Sequence, residues 1–190
     1  MKYLTSYESY EYVLESDNFQ YTNGCIMLEL PIPNWNEILD TIDKDDIYDV
    51  KSTKMLFGLQ KNPHLTLLYP IQKNIRYDKI KRVLDREVTP RKKPISLHIN
   101  SIELFEANDY DILVFRVDDN NYLSKLHTAL KDSIPNYNKR KDFKLHITIG
   151  YLKKGTGSKY CSEYDLTIDN ITEITYNSKS SKDTYEIEIY

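Results

Sequence analysis

The chain lacks the features that mark secreted, membrane-bound and metal-rich proteins. Its 190 residues include only two cysteines, Cys25 and Cys161, which are too few for a disulfide framework and form no cluster with metal-ligand spacing. No apolar run approaches the roughly 20 residues that a bilayer-spanning helix needs. The first residues also lack the apolar centre of a signal peptide. We therefore expect a cytoplasmic protein that binds no membrane.

A strong excess of one charge is also missing. The formal net charge is −3, whereas non-specific binding to long nucleic acid depends on a basic surface. Hydrophobic residues make up 40% of the chain and charged residues 29%, as in ordinary soluble domains. The length suits one domain with a sizeable core. We do not expect long duplex nucleic acid as a partner, but a small nucleotide in a local basic cleft fits this composition.

One stretch, residues 139–154, departs from this charge balance. It holds six basic side chains and one acidic side chain, Asp142, so its local charge is +5. The stretch is either a solvated basic loop or a positive field around an anion site, and the sequence leaves both interpretations open. The six basic residues are Lys139, Arg140, Lys141, Lys144, Lys153 and Lys154.

Apolar periodicity predicts strands and helices that alternate twice along the chain. Predicted strands lie near 25–30, 54–59, 95–105, 111–117, 164–176 and 184–190, and two more begin near His64 and Lys144. Predicted helices lie over 35–42, 77–87 and 123–134. This order favours an α+β fold of two pseudo-symmetric lobes. We interpret residues 1–23 as a leader segment, with a short amphipathic helix over 1–14, and residues 24–190 as one bilobal domain.

Two tripeptides carry the functional information: His64-Leu65-Thr66 and His146-Ile147-Thr148. Each lies in a short apolar run that is typical of a strand, where successive side chains point to opposite faces. The His and Thr of each tripeptide therefore share one face, and the alternating Leu and Ile side chains enter the core. A polar pair on an apolar strand is unfavourable unless its face lines a wet cleft. One such strand in each half predicts a single shared site.

The chemistry of this site follows from its residue types. Near neutral pH an imidazole can accept a proton and an imidazolium can donate one. Two of them beside one phosphodiester supply a general base and a general acid, each typically worth ~10²–10⁴-fold. Threonine hydroxyls on the same face can donate to the non-bridging phosphate oxygens. No carboxylate cluster lies beside either histidine in the sequence, so we expect neither a metal nor another cofactor.

The other two histidines serve as a contrast. His98 lies in a predicted strand without a threonine two residues later, because position 100 is Asn100. We interpret His98 as a residue on the polar face of that strand. His127 lies in the third predicted helix beside Leu126, where packing is the expected role.

Paired His-x-Thr strands in a bilobal α+β chain resemble the 2H phosphoesterases, which include the LigT-like RNA 2′-5′ ligases and cyclic phosphodiesterases. The resemblance covers residues 24–190 and is most specific over 58–69 and 146–155. These segments are most similar to the phage-encoded branch, which includes anti-CBASS enzymes that cleave cyclic oligonucleotide immune signals. The resemblance implies two antiparallel sheets that line a central cleft, with the helices outside.

The resemblance also implies roles for individual residues. His64 and His146 would form the acid–base pair, and Thr66 and Thr148 would hold the phosphate, without a metal. The substrate-binding residues would be Tyr69, Tyr151 and Lys153. The two tyrosines either stack on bases or belong to the core or its rim. Lys153, with its neighbour Lys154, either contacts a second phosphate or is simply solvated.

Three functions remain open at this point. The first is a phosphodiesterase that acts on cyclic oligonucleotides and, if phage-encoded, works in the host cytoplasm. The second is an enzyme of RNA ends that opens 2′,3′-cyclic phosphates or handles 2′-5′ linkages. The third is a sponge that sequesters a nucleotide without cleaving it. In each case we expect a monomer with a small nucleotide as its partner.

Overall fold

The part of the chain that the structure describes contains ten strands, three α-helices and three short 3-10 helices. This computed structural model describes residues 23–50, 57–118, 121–139, 142–178 and 182–187, and the backbone alone of 12–13 and 20–21. The helices are α1 (Trp35–Asp40), α2 (Tyr77–Glu87) and α3 (Tyr122–Ser133). The strands are β1 (Tyr12–Val13), β2 (Gln20–Tyr21), β3 (Gly24–Glu29), β4 (His64–Ile71), β5 (Ile95–Glu106), β6 (Tyr110–Val117), β7 (His146–Lys153), β8 (Ser162–Ile171), β9 (Glu173–Asn177) and β10 (Lys182–Glu186).

Strands β3 to β10 form one antiparallel sheet in the order β10-β9-β3-β4-β7-β6-β5-β8. β4 and β7 meet at its centre through one registered pair, Leu65 opposite Ile147. The structure confirms the α+β class and the antiparallel pairing. It differs from the expected two sheets, because the central pair joins two four-stranded halves into a single eight-stranded sheet.

The sheet curls so that its outer strands approach each other. β8 lies at one end of the strand order and β9 lies second from the other end, yet only Thr172 separates them along the chain. One residue spans no more than about 3.6 Å, so the two edges must meet here. The prediction of one strand over 164–176 is therefore wrong, since the chain passes at Thr172 from one half of the sheet to the other.

One face of the sheet packs against the helices and forms the main core. The residues that alternate with the His/Thr positions, Leu65, Leu67, Ile147 and Ile149, are all 0% exposed, as predicted. The buried helix residues on this core are Trp35 of α1, Ile80, Val83 and Leu84 of α2, and Leu123, Leu126 and Leu130 of α3. Burial of each such large apolar side chain stabilises the fold by about 1.5–3 kcal/mol. The histidines and threonines of the two tripeptides therefore lie on the other face.

Two sequence predictions fall largely outside the described residues. The leader helix over 1–14 is one of them, and within residues 1–22 only the backbones of β1 and β2 are described, paired antiparallel. The predicted strand over 54–59 is the other, and of its described residues Leu59 bridges to Gly150 of β7. Among the described residues, no helix is long and apolar enough to cross a bilayer.

His98 joins three segments at the edge of the sheet. Its Nδ1 lies 2.6 Å from Asp118 Oδ2, just after β6, and its Nε2 lies 2.9 Å from Asp165 Oδ1 on β8. The hydrogen bonds to Asp118 and then Asp165 raise the pKa of His98 above its usual value. The same hydrogen bond from His98 lowers the pKa of Asp118. Both shifts favour the ion pair. The contact of His98 with Asp118 and Asp165, which we call the clamp, is therefore strongest when the imidazole is charged.

The clamp predicts a pH-dependent contribution to stability. A group with a raised pKa stabilises the fold below its unfolded pKa and loses that contribution as pH rises through the folded pKa. We therefore expect His98→Gln to lower the free energy of unfolding more at about pH 5.5 than at about pH 8.5, on either side of the ordinary histidine pKa. Urea unfolding of both proteins at the two pH values measures this difference. Asp165→Asn should show the same trend, and a deficit that is equal at both pH values would contradict the assignment.

Candidate active site

The two His-x-Thr tripeptides lie side by side at the centre of the sheet. In an antiparallel pair with Leu65 opposite Ile147, His64 lies opposite Thr148 and Thr66 lies opposite His146. Because side chains alternate between faces, all four project to the same side. Directly opposed Cβ atoms are about 4.5–5.5 Å apart, and diagonal neighbours about 7–8 Å. These four residues, the quartet, form a rectangle that we call the central rectangle. The two imidazoles occupy one of its diagonals, so one phosphate group can lie between them.

A β-bulge follows each threonine. The pairing of β7 with β6 skips one residue between Thr148 and Gly150, and that of β4 with β3 skips one between Thr66 and Leu68. An inserted residue exchanges the faces of everything beyond it. Tyr69 and Tyr151, each five residues after its histidine, therefore return to the face of the His and Thr side chains.

The carbonyl of each inserted residue accepts a hydrogen bond from outside the regular ladder. Leu67 O accepts from Nδ1 of His127 at 2.6 Å. Ile149 O accepts from the backbone N–H of Gln60 at 2.9 Å. These donors hold both bulges, since a buried carbonyl without a partner is unfavourable. His127 is thus more than the packing residue that the sequence predicted.

The two candidate catalytic imidazoles are oriented in the same way. Nδ1 of His64 lies 3.0 Å from the carbonyl of Asn62, and Nδ1 of His146 lies 2.7 Å from the carbonyl of Lys144. A carbonyl oxygen only accepts, so Nδ1 carries the hydrogen in each ring. This leaves Nε2 of each ring as the atom that can exchange a proton with a substrate.

Burial tunes His64 toward its neutral form. The side chain is half-buried, and burial lowers its pKa below the usual value, opposed by the hydrogen bond to Asn62 and by the charge of Glu29. Glu29 lies directly opposite His64 on β3. A neutral imidazole at pH 7 is competent to accept a proton.

The His146 side carries an aromatic ring and cationic groups. Arg116 lies directly opposite His146 on β6, and the Phe105 ring meets the His146 ring edge-on at 5.0 Å between centroids. Neither Arg116 nor Phe105 was predicted from the sequence. The only signal that points to Arg116 is its position in a correctly predicted strand, and the pairing register needed to use that signal is not in the local sequence.

The predicted substrate-binding residues occupy positions around this site. Tyr69 is 8% exposed and packs with Cys25 and Met27, and Tyr151 is 9% exposed. The Tyr151 ring lies 5.4 Å from that of Phe57. Each tyrosine therefore offers a ligand little surface, and stacking on a base stays a prediction.

Lys153 and Lys154 are both held by protein groups. Nζ of Lys153 donates to the backbone carbonyl of Asp45 at 2.5 Å, and Nζ of Lys154 donates to the buried Asp111 carboxylate at 2.8 Å. Lys153 lies five residues beyond Thr148 on β7. Contact between these lysines and a phosphate stays a prediction.

Another reactive group beside the quartet is the thiol of Cys25. Burial raises the pKa of its thiol to about 12, partly opposed by a hydrogen bond with Thr66. The thiol is therefore protonated at pH 7 and is no nucleophile. Among the residues that the structure describes, no group of three His, Cys, Asp or Glu side chains is placed to hold a metal ion.

Fold and site together define an α+β protein in which each half of the sheet presents a His-x-Thr strand to one shared site. The chain belongs to the 2′-5′ RNA ligase superfamily, whose family model matches residues 37–171. This confirms the family-level resemblance, while similarity to the phage-encoded branch in particular stays a prediction.

Solved structures show the same fold. Usb1 of Kluyveromyces marxianus is 12% identical with a TM-score of 0.54, over 87% of this chain and 98% of Usb1. The same protein with uridine monophosphate gives 12% and 0.55 over the same shares. TT0787 of Thermus thermophilus is 13% identical with a TM-score of 0.52, over 87% of this chain and 95% of TT0787. Comparison with curated protein sequences gives no match.

Replacing His127 tests the support of the β4 bulge. In the parent protein the rings of His127 and Phe143 stack with 3.8 Å between their centroids. His127→Phe keeps a flat ring there but removes the N–H that donates to Leu67 O. A buried carbonyl left without a donor should lower the free energy of unfolding by about 1–3 kcal/mol. Urea unfolding at pH 7 measures this loss, with Phe143→Tyr as a control that retains the N–H. A variant as stable as the parent would show that the hydrogen bond does not hold the bulge.

Proposed function

We propose that this protein is a phosphodiesterase that uses two histidines as general acid and general base on a small nucleotide substrate. The observation that carries the proposal is the central rectangle, in which Leu65 opposite Ile147 aligns the two His-x-Thr pairs on one face. Both imidazoles present Nε2, because both Nδ1 atoms are engaged by carbonyls two residues earlier. Such matched orientation suits proton transfer on both sides of one phosphorus atom.

The reaction divides into two proton transfers. One neutral imidazole takes a proton from the nucleophile, either a ribose hydroxyl or water, and the oxygen attacks phosphorus. The other histidine, as imidazolium, gives its proton to the departing oxygen as the bond to phosphorus breaks. The hydroxyls of Thr66 and Thr148 donate to the non-bridging oxygens and stabilise the charge that builds on them. The near two-fold arrangement allows either histidine to take either role.

The substrate that we propose first is a cyclic oligonucleotide of the kind that bacterial immune systems use as a signal. The basis for this candidate is the sequence resemblance alone, which is most specific over residues 58–69 and 146–155. The second candidate is the end of an RNA chain, favoured by the shared fold with Usb1, which was solved with uridine monophosphate. A sponge is the least favoured candidate, because a pure binder needs no pair of proton-transfer groups.

A substrate panel in EDTA distinguishes these candidates. The panel contains cyclic di- and trinucleotides and an RNA with a 2′,3′-cyclic phosphate end, and chromatography follows the products. We expect turnover of cyclic oligonucleotides without added metal. Turnover of the RNA alone would select the second candidate, and tight binding with the ligand recovered intact would establish a sponge. Activity that disappears in EDTA and returns with a divalent metal would contradict the proposed chemistry.

Substitution of each candidate catalytic histidine tests the acid–base roles. His64→Ala and His146→Ala should each lower kcat by roughly 10²–10⁴-fold, because each removes one proton transfer. His98→Ala is the matched control, since His98 is a half-exposed histidine held by Asp118 and Asp165 on β5, a strand that pairs with neither β4 nor β7. Its kcat should match that of the parent, measured on the same substrate. Near-normal kcat in either of the first two variants would remove that histidine from the mechanism.

A further inference from the structure

Charge breaks the near two-fold symmetry of the site. The residue directly opposite His64 is Glu29, whereas the residue directly opposite His146 is Arg116. The residue two positions before each histidine, whose carbonyl accepts from Nδ1, is Asn62 in one half and Lys144 in the other. Both equivalent positions are thus more positive in the half that contains His146.

The two cations converge on one ring. The guanidinium of Arg116 lies 5.6 Å from the centroid of Phe105, and Nζ of Lys144 lies 5.8 Å from it. The same ring meets His146 edge-on at 5.0 Å. Arg116 and Lys144 therefore flank the ring that borders the imidazole of His146.

Arg116 and Lys144 each have N–H donors that bind no residue in the described part of the chain. Arg116 uses Nη1 on the carbonyl of Leu145 at 3.2 Å and Nε on the carboxylate of Glu103 at 3.3 Å. Its Nη2 makes no hydrogen bond to any residue that the structure describes, and the side chain is 26% exposed. Nζ of Lys144 likewise has no hydrogen bond or ion pair within the described residues. The carboxylate of Glu103 pairs with Arg116, and the charge of Arg116 also acts on Asp118.

The other half offers no equivalent among the described residues. Glu29, the counterpart of Arg116, forms an ion pair with Lys182 on β10 at 2.7 Å. The positive charge of Lys182 is thus balanced by the carboxylate of Glu29. An anion beside the central rectangle therefore meets the guanidinium of Arg116 on the His146 side and the carboxylate of Glu29 on the His64 side.

We infer that Arg116 and Lys144 form a binding site for a second phosphate, next to the one held between His64 and His146. The inference rests on the proposed function, because it assumes that a phosphate occupies the central rectangle. Arginine suits this role through its planar fork of N–H donors, and lysine through its compact charge. Lys153 and Lys154, considered for a second phosphate from the sequence alone, are instead held by Asp45 O and Asp111.

This site specifies the class of substrate. A nucleotide with two phosphates, such as a linear or cyclic oligonucleotide, fills both sites, whereas a mononucleotide with a single phosphate fills one. Arg116 and Lys144 also fix the direction in which a bound oligonucleotide crosses β4 and β7, although the four residues of the central rectangle are nearly symmetric.

Binding of small nucleotides to the whole protein tests the inference without requiring turnover. The probes are adenosine 3′,5′-bisphosphate, adenosine 3′-monophosphate and adenosine 5′-monophosphate, measured by calorimetry at about 0.15 M salt. We expect the bisphosphate to bind about tenfold more tightly than the better monophosphate, as hydrogen bonds to charged groups allow. A ratio below about twofold, with the monophosphates bound, would overturn the second site and leave the proposed function standing. If none of the three binds, the proposed function itself fails.

Two variants and one matched control locate the effect. Arg116→Met and Lys144→Met should each bring the affinity ratio of bisphosphate to monophosphate down toward one. Lys182→Met removes one positive charge from the other half and should leave the ratio unchanged. An equal loss in Lys182→Met would show a general effect of charge and would overturn the assignment. Lys144→Met alone decides the question if Arg116→Met fails to fold.

Discussion

The site depends on one pairing: Leu65 of β4 opposite Ile147 of β7. Both side chains are 0% exposed, so the apolar core on the helix side fixes which residues face each way. A slip of one residue would carry the histidines and threonines into the core, and the two aliphatic side chains to solvent. The register that buries two aliphatic side chains is thus the register that gathers the two His/Thr pairs. Stability and site geometry have the same origin here.

The two bulges determine which way the side chains point further along β4 and β7. One inserted residue, Leu67 or Ile149, exchanges the faces of the following residues in each strand, so Tyr69 and Tyr151 lie on the same face as the His and Thr side chains. The inserted residues are fully buried, and their carbonyls accept from His127 and Gln60. The two halves use different donors, a side chain and a backbone N–H, for the same geometric result. At the bulges, therefore, the two halves share the backbone path and not the side chains that support it.

The sequence predicted the quartet because alternation within a strand is local. His64 and Thr66 share a face in any regular strand, and so do His146 and Thr148. What brings the two strands together is long-range pairing, and no local pattern encodes it. Arg116 was not predicted for the same reason, because its position opposite His146 follows from the long-range pairing of β6 with β7. The break at Thr172 also escaped prediction, because the apolar pattern continues through it and only the curl of the whole sheet requires it.

In the proposed mechanism, the imidazoles of His64 and His146 act on one phosphorus atom from opposite sides. A crystal structure with a uridine–vanadate complex, whose five-coordinate vanadium resembles the phosphorus in the transition state, measures this most directly. We predict Nε2 of each histidine within about 2.6–3.2 Å of a vanadate oxygen, on opposite sides of the vanadium atom, with both threonine hydroxyls on the oxygens between. A vanadate that contacts only one imidazole, or that binds away from β4 and β7, would contradict this mechanism.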